Sequence, residues 1–505
     1  MAALVLLKGG SMDKRVLLVD LNNFARYPSI AVGYLTAVLR KGGNDVEVLA
    51  PLSTGLTGVS REPCAPWWGR LNLEVRYRSG VTLNSFVRRL RSRYSAHTAS
   101  KLARSKDAIV RQFELRLNEG FDIVLVSTYL MYHPHCVAIA EACRARGIPL
   151  ILGGPYFSAE DVAEKWLDIP GVTALIGSEV ELHLCQLVDR IIARQAINDI
   201  QGVWQKKGGD IFLDAPPLSA LDSLPFPDYS LFPWSKYPNK IVPIITGRGC
   251  GWGVCLFCSD VTSTAGRTFR TRSPENVLAE LKYQQERYNC RLFVFTDLKL
   301  NSNLEVWRAL LERMQTVAPG ARWIGSVHVG IHGDNGLSLT ELRQARESGM
   351  VRLTTGLESG SQRILEKMVK GTDLEVTSRF LFDAREAGIS VRTTMIIGYP
   401  GEMASDVDQT TEFLKDHSSC LDRINLNRMQ IMSGTQFARQ VSRKPARFPD
   451  VVVNSANHQQ AQIHHHFRPT EDPDYRKAIS RLLAVVHRIN RKPLAEAARD
   501  FEGVM

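Results

Sequence analysis

Short apolar runs alternate with longer stretches of helical spacing along most of this chain. Val16 to Val19 ends at Asp20 and reads as a strand. Ile30 to Leu39 repeats its apolar positions with helical period and stops at Gly42-Gly43, and Val46 to Leu49 reads as the next strand. The rhythm resumes with strands at Ile123 to Ser127, Leu150 to Leu152 and Val172 to Ile176. Helices separate them at Cys136 to Arg146, Ala159 to Leu167 and Leu182 to Ile192. Such βαβ alternation predicts a parallel, doubly wound sheet whose ligands bind at the carboxyl ends of the strands. Asn22, Asn23, Ser127, Thr128, Gly153, Gly154, Pro155 and the Gly177 to Glu179 turn fall at those ends.

A segment rich in proline and aromatics, including Leu224-Pro225-Phe226-Pro227-Asp228-Tyr229, suits neither a helix nor a central strand and predicts an interdomain linker. A second alternation follows, with strands expected at Val242 to Thr246, Leu292 to Thr296, Trp323 to Val329, Val351 to Gly356, Ser390 to Ile397 and Ile424 to Met429. Helical stretches such as Pro274 to Tyr288 and Leu374 to Ala387 lie between them. Six strand–helix repeats predict a barrel-like parallel sheet. The expected organisation is α/β: a doubly wound, Rossmann-like domain over 1–215, a linker over 216–240, a partial (β/α)6 TIM-like barrel over 241–440, and a C-terminal extension over 441–505. That extension holds His464-His465-His466 and is expected to be a small helical region ending in a basic helix near Tyr475 to Asn490.

Composition narrows the class. The chain has 505 residues, with 44% hydrophobic and 23% charged positions, a balance that fits neither disorder nor a membrane-embedded protein. The apolar run Ala2 to Leu7 is cut by Lys8 and is shorter than a secretory or spanning segment, so a cytoplasmic protein with no membrane partner is expected. The net charge is +11. Nine basic residues against Asp107, Glu114 and Glu119 between Asn84 and Gly120 account for more than half of it. That run reads as a solvated helical face or as a surface for an acidic partner. Without interleaved aromatics it does not predict nucleic-acid binding.

Nine cysteines are too sparse for a disulfide scaffold, and three crowd into Arg248-Gly249-Cys250-Gly251-Trp252-Gly253-Val254-Cys255-Leu256-Phe257-Cys258, directly after an apolar strand. Three thiolates on a glycine-rich loop suit one face of an iron–sulfur cube and leave one iron open to a chelating small molecule. The alternatives are a zinc site or free thiols, but zinc ordinarily needs a fourth ligand and no second cysteine pair or nearby histidine follows.

The cysteine loop resembles that of the radical S-adenosylmethionine (radical SAM) superfamily, with Phe257 matching the aromatic before the last cysteine. It departs from the usual spacing by one extra residue among Gly251 to Val254. Phe293 to Asn301, Gly356-Leu357-Glu358-Ser359-Gly360, Met368-Val369-Lys370-Gly371 and Ile396-Ile397-Gly398-Tyr399-Pro400-Gly401-Glu402 resemble successive strand ends of the branch that carries an N-terminal cobalamin-binding domain. Pro28 to Leu35, Gly153-Gly154-Pro155 and Pro225 to Tyr229 resemble parts of that domain and its linker. The resemblance implies a 4Fe-4S cluster on Cys250, Cys255 and Cys258, with S-adenosylmethionine on its open iron. It further implies Glu358 at the ribose hydroxyls, Arg392 at the cofactor carboxylate, and Ile397, Gly398 and Tyr399 along the adenine. Asp297 is expected at the barrel mouth, touching cofactor or substrate. Glu358 as a helix cap and Arg392 as an ordinary ion pair are the structural alternatives.

Cobalamin is implied at Asn22, Ser127, Thr128, Gly153, Gly154 and Pro155. The loop Asp20 to Tyr27 lacks the cobalt-ligating histidine of mutase-type domains, and His133 and His135 are read as surface or core residues rather than ligands. The implied function is a cobalamin-dependent radical SAM methyltransferase that methylates an unactivated carbon through a 5'-deoxyadenosyl radical and methylcobalamin. A cyclase or rearrangement enzyme with the same cofactors, or a non-catalytic sensor, is the alternative. Expected partners are a small-molecule or peptide substrate, possibly acidic, and an external electron donor such as a flavodoxin or ferredoxin.

Overall fold

A computed structural model describes residues 14–22, 24–81, 105–205, 215–259, 269–331 and 333–504. Asn23 and much of the basic run, residues 82–104, lie outside the described residues.

The first six strands, β1 (Arg15–Leu21), β2 (Asp45–Leu49), β3 (Ile123–Thr128), β4 (Leu150–Gly153), β5 (Ala174–Ile176) and β6 (Val203–Gln205), form one sheet in the order β2-β1-β3-β4-β5-β6. β1 to β5 pair in parallel, whereas β6 is antiparallel to β5. The short apolar strands are buried on both faces, because helices Ile30–Lys41 and Leu184–Ile192 cover one side and His133–Arg146 and Glu160–Leu167 the other. The strand order reverses between β1 and β3, and this switch point is where an open α/β sheet forms its ligand crevice. The antiparallel β6 was not anticipated, since three residues carry too little periodicity to announce a strand.

The second sheet pairs Arg423–Arg428, Ser390–Ile397, Met350–Glu358, Arg322–Val327, Leu292–Phe295 and Ile241–Ile244 side by side in that order, every pair parallel. Its strands are β7 (Ile241–Ile244), β10 (Leu292–Phe295), β11 (Arg322–Val327), β12 (Met350–Glu358), β13 (Ser390–Ile397) and β14 (Arg423–Arg428). Neighbours in space follow neighbours in sequence, which is the topology of a partial (β/α) barrel. Ser273, Asn303, Ser338 and Asp373 cap the connecting helices, each accepting a backbone N–H of the first turn. A small hairpin of β8 (Gly247–Arg248) and β9 (Arg270–Thr271) leads into and out of the cysteine loop. At the amino ends of the barrel strands Phe501, fully buried with Ala498 and Val504, packs against Ile241, Val294, Ile324 and Val351 and plugs the floor.

The linker is packed rather than slack. The Tyr229 hydroxyl donates to the Pro243 carbonyl at 2.9 Å, its ring occupies the space a Cβ at Gly33 would need, and Asp228 pairs with Arg40 at 2.7 Å. The C-terminal extension corrects the helical expectation. Besides helix Pro473–Asn490 it contains strands β16 (Val451–Asn457) and β17 (Gln462–Phe467), which with β15 (Ile431–Met432) form an antiparallel sheet. The hairpin reaches the first domain: Ala461 is buried in that domain's core, Trp166 Nε1 donates to the Gln459 carbonyl at 3.1 Å, and Gln460 donates to the Leu130 carbonyl at 2.9 Å. No described helix is long and apolar enough to cross a membrane.

Candidate functional site

The cysteine loop begins where β7 ends, and Asp297 shapes its start. The buried Asp297 carboxylate accepts from Thr246 N, Thr246 Oγ1 and Gly247 N at 2.7 to 3.1 Å, and burial raises its pKa from 3.8 to about 6. The residue expected to touch cofactor or substrate is bonded to Thr246 and Gly247 and so holds the start of the loop. Gly249 and Gly253 take left-handed φ values of 84° and 58°, which residues with a Cβ rarely adopt, and so wrap the loop back on itself.

The segment after β12 clamps the loop from the other side. Leu256 N donates to the Met368 carbonyl at 3.0 Å and Trp252 Nε1 to the Val369 carbonyl at 2.9 Å. The Trp252 ring lies over Gly371, where a Cβ would come within 2.3 Å of it. Val369, though β-branched, sits at φ 55°, and Glu358 at φ 61° beside a register shift in β12. Strain of this kind persists where surrounding contacts impose it. Leu256 and Phe257 pack beside Tyr399, so the end of β13 meets the same loop.

All three cysteines are free and partly buried. Burial pushes the Cys255 thiol upward, and the Lys370 ammonium opposes that shift. Burial likewise works against the charge on Lys370. Glu358, whose Oε1 accepts from Lys370 Nζ at 3.2 Å, outweighs it together with Cys255 and Cys258, so Lys370 stays protonated. Lys299, half-buried and within electrostatic reach of Cys250 and Cys255, is shifted downward by burial. His328, at the end of β11, stacks on Trp252 with centroids 6.2 Å apart, and burial lowers its pKa to about 3. The donor set is soft sulfur with lysine cations around it and suits an anionic iron–sulfur cube. Among the described residues no three His, Cys, Asp or Glu converge on a single-ion site, and a cube holds its thiolates farther apart than one ion does.

The sequence-derived residues divide accordingly. Glu358 and Ile397 to Tyr399 come together around the cysteine loop. Glu358 is not a helix cap, since its carboxylate faces Lys370 and Thr394, and Ser361 takes the N-cap position. Gly398 N donates to Glu402 at 2.7 Å, and Tyr399 OH to the Lys367 carbonyl at 3.1 Å. Arg392 is not brought to the site. It lies in the first half of β13, registered against Arg423, and both its Nε and Nη2 donate to Glu62 near the barrel floor. The ion-pair alternative describes it, and the expected carboxylate contact is corrected. Sequence reasoning missed His328, and noted Lys299 and Lys370 only as parts of motifs, because each becomes significant only once separate strand ends converge.

In the first domain Asn22 spans the switch point, its amide donating to Ser127 Oγ at 2.9 Å and Ser29 Oγ at 2.7 Å. A Cβ at Gly154 would lie 2.6 Å from the Thr128 carbonyl, so only glycine lets β3 and β4 end this close, while a Cβ at Gly153 would meet Ile176 at 3.8 Å and the Val126 carbonyl at 3.9 Å, ordinary van der Waals contacts. Thr128 Oγ1 donates to the Tyr129 carbonyl, and Pro155 is exposed in the turn after β4. These uncharged amide, hydroxyl and glycine groups suit a bulky amide-bearing ligand. His135 is fully buried between Tyr132 and Phe24 with Nε2 3.2 Å from Ser105 Oγ, and His133 packs edge-on against Trp166. Both are packed side chains.

The two strand-end surfaces meet. Arg248, two residues before Cys250, pairs with Glu181 at 2.7 Å and Glu179 at 3.3 Å in the turn after β5, and Arg270 pairs with Glu179 at 2.6 Å.

Residues 244–414 match the model of the Radical SAM superfamily. Residues 244–414 thus form a radical SAM domain behind a Rossmann-like domain. Among curated proteins it is 27% identical over 299 residues to an uncharacterized methyltransferase of Pyrococcus horikoshii, covering 58% of this chain and 63% of that protein. It is 26% identical to the anaerobic magnesium-protoporphyrin IX monomethyl ester cyclase of Rubrivivax gelatinosus, over 49% of this chain and 46% of that one. The chain thus spans less than two thirds of the length of either relative. Its fold matches that of the radical S-adenosylmethionine methyltransferase TsrM from Kitasatospora setae, solved with cobalamin and a [4Fe-4S] cluster. The TM-score is 0.66 at 15% identity, over 94% of this chain and 91% of that one.

Proposed function

We propose that this chain is a cobalamin-dependent radical SAM methyltransferase that places a methyl group on an unactivated carbon of a small molecule. The observation that carries the reading is the bridge of Arg248 and Arg270 to Glu179 and Glu181, which sets the carboxyl ends of both sheets against each other. A substrate held between the two cofactors would have to lie within contact range of both, and two facing strand-end surfaces are where it could do so. When bound, the cluster with S-adenosylmethionine supplies hydrogen abstraction and the cobalamin supplies a transferable methyl group. Cys250, Cys255 and Cys258 hold the cluster. Lys370 stabilises their thiolate charge and anchors Glu358, which orients the ribose, while the backbone of Ile397 to Tyr399 lines the adenine. Asn22, Ser127, Thr128, Gly153, Gly154 and Pro155 line the cobalamin crevice, and no histidine from the loop after β1 reaches the cobalt.

The test is turnover with methyl-labelled S-adenosylmethionine under a flavodoxin or chemical reductant. Labelled product with one deoxyadenosine and one S-adenosylhomocysteine per cycle supports methyl transfer. Deoxyadenosine and converted substrate without S-adenosylhomocysteine supports the cyclase reading, which the Rubrivivax relative favours.

A further inference from the structure

The turn that follows β13 is closed by one buried carboxylate. Gly398 takes a φ of 75° and its N–H donates to Glu402 Oε2 at 2.7 Å, while Glu402 N donates back to the Tyr399 carbonyl at 2.9 Å. A second donor reaches the same oxygen from beyond the radical SAM domain. The hydroxyl of Tyr475, in the first turn of helix Pro473–Asn490, lies 2.5 Å from Glu402 Oε2. Tyr475 is fully buried and Glu402 is 2% exposed. Phe467, at the end of β17, packs edge-on against the Tyr475 ring with centroids 6.1 Å apart, and a Cβ on Gly398 would meet it at 3.7 Å. Two parts of the C-terminal extension therefore bear on the segment that the proposed function assigns to the adenine.

An ionised carboxylate holds two donors more firmly than a neutral one. Burial raises Glu402 from 4.5 to about 7, while the Tyr475 and Gly398 donors pull it down. Burial also pushes the Tyr475 phenol far above its ordinary value, so the tyrosine stays a donor and the glutamate is the group that titrates. The other charged or titratable groups facing Glu402 are Asp406, which raises it, and Arg363, which lowers it, and these two pair with each other. Tyr77 of helix Gly69–Val81 lies within its electrostatic reach, and Lys367 Nζ sits beside Gly401. Phenylalanine in place of Tyr475 would fill the same space without a buried hydroxyl to satisfy, so packing alone does not account for the tyrosine.

We propose that Tyr475 is a positioning residue for the cofactor: through Glu402 it fixes Gly398, and with it the backbone that lines the adenine, which makes the C-terminal extension part of the cofactor site. The word cofactor rests on the proposed function, whereas the link from Tyr475 to Gly398 rests on the hydrogen bonds.

The experiment compares the full chain, its cluster reconstituted, with Tyr475→Phe and Glu402→Gln over a pH range that brackets about 7. Two quantities are read: protection of the Gly398 amide against deuterium exchange, and the dissociation constants of S-adenosylmethionine and of 5'-deoxyadenosine, which has no group that titrates in that range. In the wild type, protection and affinity should strengthen as pH rises through about 7. At the upper end of the range Tyr475→Phe should lose about tenfold in both, the worth of one hydrogen bond to a charged acceptor. Its midpoint should also move upward, because a donor that lowers Glu402 is gone; a tyrosine that only packs would leave the midpoint in place. Glu402→Gln should show no pH dependence in Gly398 protection or in 5'-deoxyadenosine binding. Unchanged protection in Tyr475→Phe, a midpoint that does not move, or pH dependence that persists in Glu402→Gln would overturn the proposal. The expected changes in Gly398 protection in a chain that binds neither ligand would support the link from Tyr475 to Gly398 and overturn the adenine assignment, which belongs to the proposed function.

Discussion

Asp297 offers a quantitative test of how the cysteine loop is held. Its folded pKa of about 6 lies roughly two units above its ordinary 3.8, and at about 1.4 kcal/mol per unit this corresponds to about 3 kcal/mol. Because the folded value is raised, the native state binds the proton more tightly than the unfolded chain. Stability should therefore fall by about that amount as pH rises from about 4 through about 6, and stay level above it. Asp297→Asn keeps an oxygen for Thr246 Oγ1 and the two backbone amides but cannot ionise, so the fall over that window should vanish. Asp297→Ala strands three buried donors, Thr246 N, Thr246 Oγ1 and Gly247 N, and at about 1–3 kcal/mol each it should cost about 3–9 kcal/mol. Urea unfolding across pH 4 to 8, followed at the barrel tryptophans, measures both. Iron content after anaerobic reconstitution should drop in Asp297→Ala, because the loop to Cys250 starts from the residues it holds. An undiminished pH slope in Asp297→Asn, or an alanine variant as stable as the wild type, would refute the positioning role. Intact stability with lost S-adenosylmethionine binding would instead make Asp297 a cofactor ligand.

Three further outcomes are expected. Lys370→Met breaks a largely buried pair with Glu358 and should cost about 3–5 kcal/mol by chemical denaturation, with a lower yield of reconstituted cluster; Glu358→Gln in the same chain should recover part of the stability loss. Phe501→Ala empties the barrel floor and should destabilise by about 3–5 kcal/mol without changing the electron paramagnetic resonance signal of the reduced cluster. The cob(II)alamin form of the loaded protein should show no nitrogen superhyperfine splitting, since His133 and His135 are packed against Trp166 and Tyr132; a clear nitrogen triplet would mean that one of them swings out.

Local pattern carried the framework. Helix Pro274–Tyr288 was readable to the residue because Ser273 and Pro274 mark its start, and β13 because β-branched Val391, Thr393, Thr394, Ile396 and Ile397 dominate Ser390 to Ile397. The C-terminal hairpin was not readable. β16 is mostly exposed and β17 half-buried, with polar residues on both faces, so no period-two signal marks them. The site divides along the same line. Cys250, Cys255 and Cys258 stand in one short loop, and their chemistry is a matter of spacing along the chain. Lys299, His328 and Lys370 come from three different strand ends and carry no local mark, and Arg392 carried a mark that misled, because position along β13 decides whether a guanidinium reaches the mouth or the floor. Residue type and spacing act within a few positions and so determined the elements, their alternation and the cysteine loop proposed to hold the cluster. The pairing of Glu358 with Lys370 and the bridge from Arg248 to Glu179 and Glu181 were decided only by the tertiary structure, because each depends on which strand ends parallel packing brings to the same face.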